Sequence, residues 1–214
     1  MARALRTLCF ALIGLIAAGF ASAHAASAAT RACSRPSVVN GAKARLVVKE
    51  GSLFGCVRVS RRAVLVKGPQ DDYGYWRKPR LAGTFAALEL VLDYKCRTVD
   101  IQVTNLRTGV SRTFRAGSSS YVSSAHGCDN YGSPTTDMVL RSDGAIAFIA
   151  GDEVVRGTGG GKIVILDRGP TVDPTSLGLT RSGLVTWWSD GRPRSAVLPW
   201  RDAVAQRDSS TRLR

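Results

Sequence analysis

The sequence contains few of the residues on which metal centres and nucleophilic active sites depend. It has two histidines in 214 residues and no Cys-x-x-Cys pair, so a zinc site with ordinary ligand spacing is not expected. The Gly-x-Ser-x-Gly elbow that carries the nucleophile of α/β-hydrolases is also absent. We therefore expect neither a metal nor a cofactor, and the composition favours binding over catalysis.

A glycine-rich stretch, "RGTGGGKIVIL" at positions 156–166, lacks the residues that a phosphate-binding loop requires. Such a loop reads Gly-x-x-x-x-Gly-Lys-Ser/Thr and leads into a helix whose N-terminus faces the phosphates. Here Arg156 replaces the first glycine, Ile163 replaces the magnesium-binding hydroxyl residue, and a β-branched run follows. The pattern instead predicts a hairpin turn between two strands.

The apolar run near the N-terminus is too short to span a membrane. It covers 13 residues, positions 8–20, whereas a bilayer requires about 20 helical residues. Arg3 and Arg6 precede it and Ala-x-Ala sites follow it, which is the order of a secretory signal peptide. We expect cleavage before His24 or Ala26 and a protein that is secreted or held in the cell envelope, without a transmembrane segment.

Cleavage would leave four cysteines in an oxidising compartment, where they can form two disulfides in any of three pairings. We predict Cys33–Cys56 and Cys96–Cys128, because each pair brackets one local segment. In the chain-entropy description each closed loop would contribute about 3 to 4 kcal/mol to stability.

The formal charge is +14, most of it from arginine, and loss of Arg3 and Arg6 would lower it by two. Such an excess favours contact with acidic polymers or a membrane surface. The basic residues are spread along the chain, without a run of five and without interleaved aromatic residues. We therefore do not expect specific nucleic-acid binding. A polyanion-binding surface and a merely solvated basic surface both remain open.

The middle of the chain alternates between apolar and polar residues with the period of a β-strand. In "VDIQVTNLRTGVSRTF", Val99, Ile101 and Val103 share one face, and Arg107-Thr108-Gly109 then forms a turn. Short strands punctuated by glycine continue over positions 42–200. The predicted organisation is a signal peptide at 1–25, an N-terminal extension at 26–41, an all-β domain at 42–200 and a polar tail at 201–214.

An internal repeat supports this organisation. "TDMVLRSDGAIAFIAGD" and "SLGLTRSGLVTWWSDG" align without gaps at an offset of 39 positions, so that Gly144 matches Gly183 and Phe148 matches Trp187. A third copy, "LAGTFAALELV", places Gly83 on the same turn. Units of about 40 residues with several strands each are typical of propeller blades.

These units resemble the WD-repeat-like propeller repeats of secreted, functionally uncharacterised bacterial proteins. In that family an inner strand of alternating hydrophobic residues leads into a turn that ends in glycine, and Leu140, Gly144 and Phe148 match this pattern. A later strand of the family ends in a Thr-Gly turn, and Val103, Leu106, Thr108 and Gly109 match that one. The resemblance implies propeller-like antiparallel repeats. The length of the chain is sufficient for about four blades, or the propeller is open or incomplete; the alternative is a two-sheet β-sandwich.

Two loops rich in aromatic, acidic and amide side chains are the candidate ligand-binding residues. Aromatic rings can stack on sugars while carboxylates accept hydrogen bonds from the hydroxyls, and loops of β scaffolds commonly hold such residues. The alternative is that these rings only cap the ends of the core. The candidates are Asp71, Asp72, Tyr73, Tyr75 and Trp76 in the first loop, and Tyr121, His126, Asp129, Asn130 and Tyr131 in the second.

The sequence thus predicts a non-catalytic binding protein of unknown ligand at or outside the cell envelope, with a cell-wall polysaccharide or another envelope protein as partner. A glycan-active hydrolase or lyase is the first alternative, because Asp71 or Asp72 could pair with Asp129. A polyanion-binding basic protein is the second.

Overall fold

The computed structural model describes residues 32–70, 74–93, 97–116, 135–159 and 161–199, and within these ranges the chain forms fifteen β-strands. No helix in this part of the chain has the length and hydropathy needed to cross a membrane. The strands are β1 (Ser37–Asn40), β2 (Ala44–Lys49), β3 (Ser52–Val57), β4 (Ala63–Lys67), β5 (Gly74–Ala82), β6 (Phe85–Asp93), β7 (Arg97–Asn105), β8 (Ser111–Arg115), β9 (Thr135–Leu140), β10 (Ile146–Ala150), β11 (Glu153–Gly157), β12 (Ile163–Arg168), β13 (Gly178–Leu179), β14 (Leu184–Ser189) and β15 (Arg192–Val197).

The strands form four antiparallel sheets, each built from strands that follow one another in the chain. The first sheet holds β1 to β4, the second β5 to β8, the third β9 to β12, and the fourth β13 to β15. None of these sheets is closed on itself. The all-β prediction is confirmed, and four successive antiparallel sheets are compatible with propeller-like repeats.

The first strands of successive sheets lie next to one another: β1 contacts β5, β5 contacts β9, and β9 contacts β13. The sheets therefore fan out from a common line of first strands and pack face to face. Three apolar cores fill the spaces between them. The core between the first and second sheets includes Leu46 and Leu88, that between the second and third includes Phe114 and Phe148, and that between the third and fourth includes Ile149 and Trp187.

The two middle sheets are buried on both faces, which explains their sequences. In β6, Leu88 and Leu90 pack toward the first sheet, whereas Ala87 and Val91 pack toward the third. Strand β10, "IAFIA", is buried at every position. A strand covered on both sides needs a continuous apolar run instead of an alternating one.

The sequence repeat corresponds to a structural repeat. Gly83, Gly144 and Gly183 each lie in the turn between the first and second strands of a sheet, with φ of +61°, +93° and +84°. The aligned aromatic residues Phe148 and Trp187 are both buried, at 0% and 4% exposure. The repeat did not indicate strand β1, which lies before the predicted domain boundary at residue 42.

The N-terminal segment is fastened to the first sheet by a disulfide. Cys33 is bonded to Cys56 of β3, as predicted, and Ala32 packs with Val47 and Cys56 on the outer face of that sheet. The predicted Cys96–Cys128 pair lies outside the described residues, as do the predicted signal peptide and the tail at 201–214.

The glycine-rich stretch is a β-hairpin turn, as its sequence indicates. Gly157 of β11 pairs with Ile163 of β12, and the Thr158 N–H donates to the Lys162 carbonyl at 2.8 Å. A strand follows the turn, so the stretch lacks the helix that a phosphate-binding loop needs.

Substitution of the turn glycines tests how tightly adjacent sheets pack. A Cβ on Gly144 would lie 2.6 Å from the Phe85 ring of the second sheet, whereas a Cβ on Gly161, with φ of +82°, would meet open space. We expect Gly161→Ala to cost about 1 kcal/mol from left-handed backbone strain alone. Gly144→Ala should cost about 1 to 3 kcal/mol more, because the ring must move. Denaturant unfolding of both variants measures the difference; equal losses would contradict the packing.

Candidate anion-binding surface

The antiparallel topology sorts the turns of all four sheets onto two ends of the molecule. The turns that follow the first and third strands of each sheet lie at one end, which we call the basic end. The described residues of these turns are 41–43, 58–62, 83–84, 106–110, 141–145, 158–159, 161–162 and 180–183. The described turns between second and third strands, at 50–51, 151–152 and 190–191, lie at the opposite end together with the described parts of the links between sheets.

Contacts between sheets show that these turns form one continuous surface. A Cβ on Gly83 would lie 3.0 Å from the Ser142 carbonyl, and a Cβ on Gly183 would lie 2.8 Å from Nη1 of Arg141. In the first sheet, the Arg62 side chain donates to the Arg107 carbonyl of the second sheet at 2.5 Å. The turns of neighbouring sheets therefore touch in sequence, from the first sheet to the fourth.

Charge is segregated between the turns of the two ends, whereas the strand ends next to the opposite turns also hold basic residues, Lys49, Lys67, Arg168 and Arg192. In the described part of the chain, the turns of the basic end hold eight basic residues and one acidic residue, Asp143. The described turns and links of the opposite end hold four acidic residues, Glu50, Asp152, Asp173 and Asp190, and no lysine or arginine. The basic residues are Lys43, Arg58, Arg61, Arg62, Arg107, Arg141, Lys162 and Arg181.

The charge is densest at the turns of the first sheet. Two open pockets there share Val57 as a lining residue, and the second of them is also lined by Thr84 and Arg107 of the second sheet. The first, of about 440 Å³, lies beside the disulfide and is lined by Arg45, Arg58 and Arg61. The second, of about 400 Å³, has Lys43, Arg62 and Arg107 around it, with Val57, Val59, Ser60 and Thr84.

The cations at these pockets are not neutralised within the described part of the chain. The side chains of Lys43, Arg58, Arg61, Arg62 and Arg107 are exposed and form no ion pair with a described carboxylate. Arg58 donates to the Gly41 carbonyl at 3.1 Å and Arg62 to that of Arg107. Because a guanidinium carries five N–H groups, most donors of these residues remain available to an anion.

Arg141 differs from the other cations of the basic end because it is held by the single acid there. It donates from Nε and Nη2 to the two carboxylate oxygens of Asp143, at 2.9 and 2.5 Å. This hydrogen bonding holds the pKa of Asp143 below its ordinary value of 3.8, against the opposing effect of partial burial, and the Ala145 N–H also contributes. The pair fixes the turn that contacts Gly183.

A second group of charges lies at the junction of β5, β6 and β9 and has a structural role. Glu89 is fully buried, with Nη2 of Arg77 at 2.6 Å and Nζ of Lys78 at 3.5 Å. Lys78 also donates to the Thr135 carbonyl of β9, which ties the second sheet to the third. The hydrogen bond that Arg77 donates to Glu89 raises the pKa of Arg77 above its ordinary value, so Arg77 remains charged.

Of the ten predicted ligand-binding residues, the structure describes Tyr75 and Trp76. Both lie in β5, an inner strand, and not in a loop. Tyr75 packs against the core between the second and third sheets, and Trp76 against the core between the first and second. The Trp76 indole also donates to the Gly51 carbonyl at 3.4 Å. The others lie outside the described residues: Asp71, Asp72, Tyr73, Tyr121, His126, Asp129, Asn130 and Tyr131.

Sequence reasoning did not find the basic end, because its residues are scattered over positions 43–181. The available signal was positional, since each basic residue lies in a turn after an odd-numbered strand of its sheet. That signal can be used only when the strands are correctly bounded and assigned to sheets.

No protein-family model matches the chain, and no curated protein matches it significantly. Among solved structures, tricorn protease aligns with 76% of this chain at 14% identity and a TM-score of 0.44, and the aligned part is 15% of its own length. A protein of unknown function from Bacteroides caccae aligns with 74% of this chain at 12% identity and a TM-score of 0.40. The aligned part is 58% of that protein.

The Arg141–Asp143 pair should make stability depend on pH. A carboxyl whose pKa is lower in the folded state stabilises the fold above the pKa of the unfolded chain, and this stabilisation is lost as pH falls through the folded pKa. We expect Asp143→Asn to lower the melting temperature at neutral pH, and the difference from wild type to shrink below about pH 4. Thermal melts over a pH series measure it. A difference that persists undiminished at the lowest pH would show that charge is not the cause.

Proposed function

We propose that this protein is a non-catalytic binding protein that holds an anionic ligand at its basic end. The observation that carries the proposal is the segregation of charge. In the described part of the chain, the turns of the basic end hold eight cations and one carboxylate, Asp143, which is already paired with Arg141. Repulsion among like charges destabilises such a surface, and binding of an anion relieves that repulsion.

The arrangement favours an extended anion over a small one. Five unneutralised cations surround two adjoining open pockets, and further turns of the basic end contribute Lys162 and Arg181. Arginine predominates, and its planar fork of donors matches the oxygens of phosphate, sulfate and carboxylate groups. A polymer with repeated anionic groups could contact several of these sites at once, whereas a single small anion could contact only one or two.

The setting that we propose for this activity is outside the cytoplasm. The predicted signal peptide and the Cys33–Cys56 disulfide both fit an exported protein, since disulfides persist in oxidising compartments. In the same proposal the four sheets are WD-repeat-like blades, and the partner is an anionic polymer or surface of the cell envelope.

A glycan-binding or glycan-cleaving role for the predicted aromatic loops has less support. The two described members, Tyr75 and Trp76, are half-buried against the cores, which is what rings that complete the packing would do. The carboxylates of the proposed hydrolase, Asp71, Asp72 and Asp129, lie outside the described residues.

Charge reversal at one end tests the proposal. We compare wild type with Lys43→Glu/Arg107→Glu at the second pocket and with Lys67→Glu/Arg192→Glu near the opposite end. Both double variants change the net charge by the same amount. Wild type should bind heparin, a sulfated polysaccharide, with an affinity that falls steeply as salt rises, because binding releases counterions.

The variant at the pocket should bind at least about thirtyfold more weakly, because two cations that each contribute about 1 kcal/mol are lost and two carboxylates that repel the anion are added. It should also show a shallower dependence on salt. The variant near the opposite end should bind like wild type or only slightly more weakly. Equal losses in both variants would mean that net charge, and not the basic end, governs binding. Salt-independent binding would exclude an ionic interface.

A further inference from the structure

The basic end carries exposed aliphatic side chains at its tips. Val59, in the turn between β3 and β4, is 95% exposed, the largest exposed fraction among the exposed large hydrophobic residues of the described chain. Val110, in the turn between β7 and β8, is 58% exposed. Arg58, Arg61 and Arg62 flank the first valine, and Arg107 precedes the second in its turn.

The two valine-bearing turns are neighbours, held together by contacts between sheets. Arg62 donates to the Arg107 carbonyl, and a Cβ on Gly109 would lie 3.8 Å from Cγ1 of Val64. The second pocket lies between these turns, with Val57 and Val59 among its lining residues and Lys43, Arg62 and Arg107 around them. The surface is therefore apolar at its tips and cationic around them.

Hydrogen bonds hold the backbone of the turn that carries Val59. The Val57 N–H donates to the Arg62 carbonyl at 2.9 Å and the Arg58 N–H donates to the Lys43 carbonyl at 3.0 Å. The Ser60 hydroxyl accepts from the Arg62 N–H at 3.4 Å. A side chain on such a turn can enter an apolar phase without a large loss of backbone freedom.

A hydrophilic polyanion satisfies the arginines but gives the valines no apolar contact. An anionic lipid bilayer satisfies both, because its headgroups attract lysine and arginine while the boundary of its acyl chains accepts apolar side chains. We infer that the basic end docks on an anionic phospholipid membrane, with Val59 inserted between headgroups and the surrounding arginines on the phosphates. This inference rests on the proposed function and specifies its partner.

The test uses the purified chain with phosphatidylglycerol/phosphatidylcholine vesicles, with pure phosphatidylcholine vesicles, and with heparin beads. Val59→Ser removes the apolar tip and Val59→Trp enlarges it. Leu92→Ser is the matched control, because Leu92 is an exposed aliphatic residue (42%) near the opposite end, on β6. Cosedimentation gives the vesicle affinities and bead retention gives the heparin affinities.

We expect wild type to bind the anionic vesicles and not the neutral ones. Val59→Ser should bind them up to about tenfold more weakly, because a valine side chain no longer leaves water. Val59→Trp should bind them more tightly and still not bind the neutral vesicles, to which a misfolded chain with an exposed core would also adhere. None of these substitutions should alter heparin retention, and Leu92→Ser should behave like wild type throughout.

Two failures are distinguishable. If wild type is retained on heparin but vesicle affinity is absent or is unchanged by both Val59 variants, the membrane inference is overturned and the partner is a hydrophilic polyanion. If wild type is retained on neither heparin nor vesicles, the proposed function fails as well.

Discussion

The face-to-face burial of neighbouring sheets is the constraint on which the rest of the structure depends. Each face of the second and third sheets packs against a neighbouring sheet, so their inner strands β6 and β10 are apolar on both sides. At about 25 cal/mol for each Å² of apolar surface removed from water, this burial is the main term that favours the fold. The buried Glu89 is tolerated because Arg77 and Lys78 neutralise it at the junction of inner strands.

The same packing determines where charge can lie. The inner strands β6 and β10, which are buried on both faces, hold no lysine or arginine. Because the sheets stand side by side with their first strands adjacent, the turns after odd-numbered strands of all four sheets meet at one end. Scattered basic residues thereby form one surface, and the acids of the described intervening turns and links lie at the other end.

The sequence was sufficient for the all-β class, the glycine-rich hairpin, the Cys33–Cys56 disulfide and the register of the repeat between Gly144 and Gly183, because each depends on local spacing. It did not reveal β1, since four residues carry too little periodicity. Tyr75 and Trp76 appeared to belong to a loop because prolines and acids surround them, yet cross-strand pairing with β6 places them in a strand. The basic end depends on which turns share an end, and residue spacing along the chain does not contain that information.

The most direct test of the central claim is hydrogen exchange measured by mass spectrometry, with and without a saturating anionic ligand. The account predicts slower exchange in the turns at 41–43, 58–62 and 106–110, and unchanged exchange at 50–51, 151–152 and 190–191. Protection at the opposite turns, or around Tyr75 and Trp76 alone, would contradict binding at the basic end.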